Sequence, residues 1–216
     1  SRKMVTIAST REGEDELFID AIQKQIRRAQ SQGVSLEEQV LFCLVPRHPQ
    51  RFEDVAKKLE SAGLSYMRRS EFVQTGETGA VNARIITQGR QLVLLGDSLG
   101  EMPRYYAASH VAIIAGSFLP FGGQNLIEAC ATGVPVLVGP HTENFSQAVF
   151  DAIQEGAALR VPTADAAIQQ ALTLLDEPQR LARMTQAGTQ WVSKHTGAVA
   201  RVLTGLNELK AERKKT

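Results

Sequence analysis

Residues 110–139, "HVAIIAGSFLPFGGQNLIEACATGVPVLVG", decide the fold. The stretch opens on an apolar run at 110–115 and closes on a second at 134–139. Between them, two adjacent glycines lead into helical spacing over 124–132. Both runs are short and rich in Val, Ile and Leu, without the polar alternation of a half-exposed strand, so they suit strands covered on both faces. Two such strands joined through a helix make a parallel βαβ unit, because parallel neighbours need a crossover of about that length. Gly122, Gly123, Gln124, Asn125 and Glu128 then fall where a strand has ended and a helix starts.

The same alternation extends in both directions. Strand-like runs occupy 4–8, 39–45, 64–68 and 91–95, with a weaker one at 158–161, and helical segments fill 14–32, 50–62, 100–109 and 143–155. That order predicts an α/β fold, a doubly wound parallel sheet of Rossmann type. After residue 162 come three successive helical stretches, 163–177, 178–195 and 197–216. They predict a domain over 1–162 with a C-terminal helical extension, 163–216, packed on it. The polar segment 70–90 lacks periodicity and reads as a hairpin or mobile loop, and the terminal "KAERKKT" reads as a solvated helix end.

Composition narrows the function. The 216 residues carry a formal net charge of +1, which argues against a dedicated nucleic-acid surface. No apolar run approaches the roughly 18 residues that span a bilayer. Cys43 and Cys130 each sit inside an apolar run and read as small buried thiols of a reducing compartment, not as a disulfide or metal pair. The chain enters a strand by its fourth residue with no leader before it, and so reads as a domain cut from a longer protein.

Ligands of an open parallel sheet bind beyond the carboxyl ends of its strands. Four loops there draw notice. In "STREGEDE", Ser9 and Thr10 are expected to cap the next helix, with Glu12, Glu14, Asp15 and Glu16 complementing its positive end; alternatively Ser9, Thr10 and Arg11 line an anion or sugar site. In "PRHPQR", two prolines stiffen the loop that projects Arg47 and His48, and an arginine fork suits phosphate or carboxylate. In "GDSLGEMPRYY", Gly96 and Gly100 allow close approach, while Asp97 or Ser98 is expected to cap the helix that carries Pro103. In "GGQNLIEA", the pair Gly122–Gly123 turns backbone amides toward a ligand at a helix start that adds about half a positive charge. Glu128, one turn along from Gln124 and Asn125, suits a ribose diol. A nucleotide's phosphate and sugar fit this group.

Taken in order, "PRHPQR", "GDSLGEM", "GGQNLIEA" and "GPHTENF" resemble the carboxyl-terminal half of 3-deoxy-D-manno-octulosonic acid (Kdo) transferases, two-domain GT-B glycosyltransferases. The resemblance covers most of 4–160 and implies a CMP-Kdo donor, a lipid A precursor as acceptor and an inverting transfer needing no metal or other cofactor. It places Pro46 and Arg47 at the CMP, Arg47 on its phosphate. Leu99, Gly100 and Glu101 fall beside the cytosine, and Asn125, Leu126, Ile127 and Glu128 at phosphate and ribose. Gln124 stands where many relatives carry His. His141 and Asn144 lie either near the donor's Kdo carboxylate or in a structural turn. The family's catalytic carboxylate belongs to an N-terminal acceptor domain that this chain lacks, so the chain is expected to bind donor without catalysing transfer. The whole protein is expected at the cytoplasmic face of the bacterial inner membrane. A UDP-sugar transferase or epimerase of the same architecture, or a non-catalytic nucleotide-binding module, are the alternatives.

Overall fold

Met4, Thr6 and Ala8 point to one face of the first strand and Val5 and Ile7 to the other, and all five are fully buried. A strand apolar on both faces must be roofed twice, and the computed structural model, which describes residues 2–74 and 91–194, shows both roofs. The elements run β1 (Lys3–Thr10), α1 (Glu14–Ser31), α2 (Leu36–Gln39), β2 (Val40–Pro46), a 3₁₀ turn Pro49–Arg51 leading into α3 (Phe52–Ser61), β3 (Tyr66–Arg68) and α4 (Arg69–Gln74). They continue with β4 (Val93–Leu95), α5 (Met102–Ala108), β5 (Val111–Ile114), α6 (Ile127–Ala131), β6 (Val136–Val138), a 3₁₀ turn Glu143–Phe145 leading into α7 (Ser146–Gln154), β7 (Ala158–Arg160) and α8 (Ala164–Leu175). A further helix, α9, spans 178–194.

The seven strands form one sheet in the order β3-β4-β2-β1-β5-β6-β7, every neighbouring pair parallel. This is the doubly wound sheet the sequence predicts. On one face Phe18 and Ile22 of α1, Val55 and Leu59 of α3, and Ile168 and Leu174 of α8 pack on Val5, Ile7, Phe42, Leu44 and Ile113. The opposite face is covered by Tyr106, Leu126, Val149 and Trp191 over Ala8, Ile114 and Val138, and by Tyr105 over Met4, Cys43 and Leu94. Helices beyond residue 162 thus share both cores with the strands. Both thiols are free and buried, and burial pushes the Cys130 thiol up to about 12.

Three expectations change. Residues 69–74 are helical, so the polar stretch begins as α4, and the rest of it, 75–90, lies outside the described residues, as does the expected third tail helix. Gly13, at φ 85°, is the N-cap of α1, so Ser9 and Thr10 do not cap it. The helix expected over 124–132 begins at Ile127.

Replacing Ile168 by Ala would test whether α8 belongs to the central core: a loss of about 2–5 kcal/mol in urea unfolding is expected. A loss below about 0.5 kcal/mol would detach the helix from the fold.

Candidate functional site: the crevice between the first and fifth strands

β1 and β5 lie side by side, but the chain leaves β1 toward β2 and leaves β5 toward β6. Their connections part in opposite directions, and a crevice opens beyond their carboxyl ends. At the β1 exit the register slips between Ala8 and Thr10, and Ser9 takes a left-handed φ of 61°. This turns the Thr10 hydroxyl inward to donate to Asp15 Oδ1 at 2.5 Å. Arg51 pairs with the other Asp15 oxygen and donates to the Thr10 carbonyl, 3.2 Å away. Burial raises the Asp15 carboxyl above its ordinary range, with Thr10 and Arg51 pulling against it. The Arg47 amide also donates to the Thr10 carbonyl (3.0 Å), which fixes the β2 exit against the β1 exit.

Glu14, fully buried, joins the other side. Its Oε2 accepts the amides of Arg11 (2.9 Å) and Gly116 (2.6 Å), and its Oε1 that of Phe118 (2.9 Å). One carboxylate therefore binds the β1 loop to the β5 loop. Glu16 is paired with Lys58 at 2.7 Å, and of the acidic run only Glu12 is left exposed without such a partner among the described residues. Arg11 itself lays its guanidinium over the ring of Phe121, 4.8 Å from the centroid.

The β5 loop is shaped by its glycines. Gly122 and Gly123 both hold left-handed φ angles, 82° and 84°. A Cβ on Gly122 would meet Asn144 Nδ2 at 2.3 Å. Asn144 uses that amide to donate to the Phe121 carbonyl (3.2 Å), and its backbone amide donates to Gly122 (3.0 Å). Ser117 ties in the β6 exit: its hydroxyl accepts the Gly139 amide (2.8 Å), and its carbonyl accepts that of His141 (2.9 Å). His141 faces Glu143 at 3.8 Å. Asn144 thus clamps the loop through these bonds.

The Gly123 amide, expected to face a ligand, donates instead to the Gly116 carbonyl at 2.7 Å. The amides of Gly122, Gln124 and Asn125 have no hydrogen-bond partner among the described residues. Asn125 extends the loop, its Oδ1 accepting the Ile127 amide (2.9 Å) while its Nδ2 lies 3.4 Å from Glu128 Oε1. Because α6 has five residues, little macrodipole is available at its start. Leu126 is fully buried and serves the core, whereas Ile127 is 41% exposed. The Gln124 side chain packs over Gly116.

Pro46 is buried, and Arg47 and His48 stand exposed at the rim. In the β4 loop Leu99 is 73% exposed and Gly100 takes φ 74°. Glu101, in contrast, is fully engaged: Arg69 and Arg104 each approach to 2.8 Å, and the Ser98 hydroxyl donates to it while meeting Tyr105 at 2.8 Å. Burial opposes the Glu101 charge, but Ser98 and Arg69 outweigh it and hold the carboxyl below its usual range. Asp97 does not cap α5; it takes the amide (2.8 Å) and hydroxyl (2.7 Å) of Ser70 at the start of α4.

One residue here was not singled out from sequence. Tyr106 is 3% exposed and carries its hydroxyl at the end of a side chain packed into the second core. Burial pushes that hydroxyl up, the Glu128 carboxylate adds to the push and Arg47 opposes it, so the phenol lies within electrostatic reach of both. In "PRYYAAS" it reads as helix core, and nothing in that pattern separates it from Tyr105.

No protein-family model matches the chain. It is 50% identical over 208 residues to a 3-deoxy-D-manno-octulosonic acid transferase of Bordetella pertussis, covering 96% of this chain and 45% of that protein. A transferase of the same name from Haemophilus influenzae is 32% identical over 197 residues, covering 91% of this chain and 42% of the relative. The chain therefore spans less than half the length of these curated relatives. Among solved structures, the C-terminal CMP-Kdo binding domain of WaaA from Acinetobacter baumannii superposes with a TM-score of 0.73 at 30% identity, over 88% of this chain and 89% of that one.

Two substitutions probe the frame. Glu14→Gln replaces an oxygen by an NH₂ that faces a backbone N–H, and urea unfolding should show a loss of about 2–3 kcal/mol; a change within about 0.5 kcal/mol would mean the carboxylate is dispensable. Because the Glu101 carboxyl is lower when folded than when unfolded, its contribution is complete above the ordinary glutamate value of about 4.3 and is lost as pH falls through the lowered folded value. The urea midpoints of wild type and Glu101→Gln should therefore differ most near neutrality and converge in acid; a gap independent of pH would contradict the network.

Proposed function

Since the chain belongs to the 3-deoxy-D-manno-octulosonic acid transferase family, we propose that its crevice binds the donor nucleotide CMP-Kdo. The observation that carries this reading is a set of amides at Gly122, Gln124 and Asn125, unpartnered among the described residues on the loop after β5, in a chain 30% identical to a CMP-Kdo binding domain over nearly its full length. In this reading the phosphate lies on those amides and the Arg47 fork, because main-chain N–H groups and a guanidinium both donate to phosphate oxygens. Glu128, oriented by Asn125, accepts from the ribose hydroxyls. Cytosine lies against the backbone of Leu99 and Gly100, since the Glu101 carboxylate is committed to two arginines.

For the whole protein we propose transfer of Kdo to a lipid A precursor. An acceptor hydroxyl would lose its proton to a carboxylate of an N-terminal domain outside this chain and attack the anomeric carbon of Kdo as the bond to CMP breaks. This domain's share is electrostatic: Arg47 and the loop amides stabilise the charge that develops on the departing phosphate. The proposed mechanism is inverting and needs neither metal nor other cofactor. Its partners are CMP-Kdo, the acceptor lipid and the N-terminal domain, and not nucleic acid. Work at the cytoplasmic face of the inner membrane fits a lipid acceptor; among the described residues no helix is long and apolar enough to cross a membrane.

Calorimetric titration of the chain with CMP and UDP tests this. CMP should bind more tightly, and Glu128→Ala should weaken it by about 1–3 kcal/mol. Tighter UDP binding, or an unchanged CMP affinity in the variant, would overturn the assignment.

A further inference from the structure

Two arginines stand at the crevice mouth without a carboxylate partner among the described residues, Arg11 and Arg47. Three of the four acids near them are engaged elsewhere, Glu14 by three backbone amides, Asp15 by Thr10 and Arg51, and Glu16 by Lys58, and the fourth, Glu12, is exposed to solvent and pairs with neither arginine. The loops that carry them are also tied together. The Arg47 amide donates to the carbonyl of Thr10, the residue just before Arg11. Two guanidiniums without a carboxylate partner, on loops tied to each other by that bond, suit a ligand that brings two anions.

Arg11 is posed as a receptor would be. Its backbone is pinned by Glu14, and its guanidinium face rests on Phe121. That stacking engages the π face and leaves the in-plane N–H fork free for a bidentate acid. Phe121 directly precedes Gly122, whose amide is unpartnered, so the fork lies next to the proposed phosphate loop. In an activated ulosonic acid the anomeric carbon carries both the phosphate and the carboxylate, so the ligand's two anions lie one carbon apart. His141 faces Glu143 at 3.8 Å and Asn144 clamps Phe121 and Gly122, so Arg11 is the cation of this loop pair whose fork is left for the second anion.

We propose that Arg11, stacked on Phe121, recognises the carboxylate of the sugar that the donor nucleotide carries, and so selects an acidic sugar. The inference rests on the nucleotide reading of the same crevice.

The test compares dissociation constants for CMP, CMP-Kdo and the carboxamide analogue of CMP-Kdo, using wild type, Arg11→Met, Arg11→Lys and Arg47→Met. Wild type should prefer the carboxylate over the carboxamide by about 10-fold or more, the range of one charge-assisted contact. Arg11→Met should erase that preference and leave CMP affinity within about 2-fold, while Arg11→Lys, which keeps charge but not the planar fork, retains part of it. Arg47→Met should weaken all three ligands together. A preference that survives in Arg11→Met, with CMP binding intact, sinks the Arg11 assignment alone. Equal weakening of CMP and CMP-Kdo by Arg11→Met sinks it too, since Arg11 would then hold the nucleotide. A wild-type chain that binds no CMP defeats the nucleotide reading and this inference with it.

Discussion

The buried carboxylate of Glu14 is the constraint on which the crevice depends. Sheet topology brings the ends of β1 and β5 side by side, but a shared sheet edge does not fix the loops beyond it. Glu14 does so by accepting one amide from its own loop and two from the other. An ionised carboxylate removed from water is costly unless its lone pairs are met. Here three donors meet them, and charge-assisted bonds of this kind are about twice as strong as neutral ones. The Phe18–Phe118 edge contact, with centroids 5.0 Å apart, backs the same junction with apolar packing. The shape offered to a ligand follows from this joint, because Gly116, Phe118 and Phe121 all belong to the loop that Glu14 anchors.

Much of the fold was legible because its signal is local. Seven Val-, Ile- and Leu-rich runs announce strands roofed on both faces, and their alternation with helices leaves few topologies for a parallel sheet. The site was legible less evenly. The placement of Arg47, Gly122 and Glu128 beyond strand ends was readable, since strand ends converge in this architecture. The start of α6 was not, because Asn125 serves a loop or a helix cap with the same side chain; its side chain bonds the Ile127 amide, and the chain stays non-helical for two residues beyond Gln124. Glu101 reads as a binding-loop residue by position, yet its partner Arg69 lies far away in the sequence, while Ser98 bonds Glu101 itself. Long-range pairings of this kind leave no trace in spacing. Tyr106 was hidden for the opposite reason, as an aromatic on a helix face that periodicity assigns to the core.

The loop "STREGEDE" poses a conflict that the structure resolves by geometry. Four acids beside a crevice read as a repulsive field for any phosphate, and the sequence gives no ground to discount them. At an effective dielectric near 20, a unit charge 4 Å away is worth about 4 kcal/mol, whereas a full helix dipole contributes about 0.3–1 kcal/mol. A dipole from the five residues of α6 would therefore lose to even one uncompensated acid. Three of the four acids, however, are matched to named donors: Glu14 to backbone amides, Asp15 to Thr10 and Arg51, and Glu16 to Lys58. Their negative charge is turned inward and becomes the frame of the loop. What remains beside the exposed Glu12 are the guanidiniums of Arg11 and Arg47 and the amides of the glycine turn. In the proposed reading, selectivity for anions rests on matched acids and two arginines, and the glycines contribute shape, allowing Asn144 to close over a backbone that any side chain at Gly122 would push away.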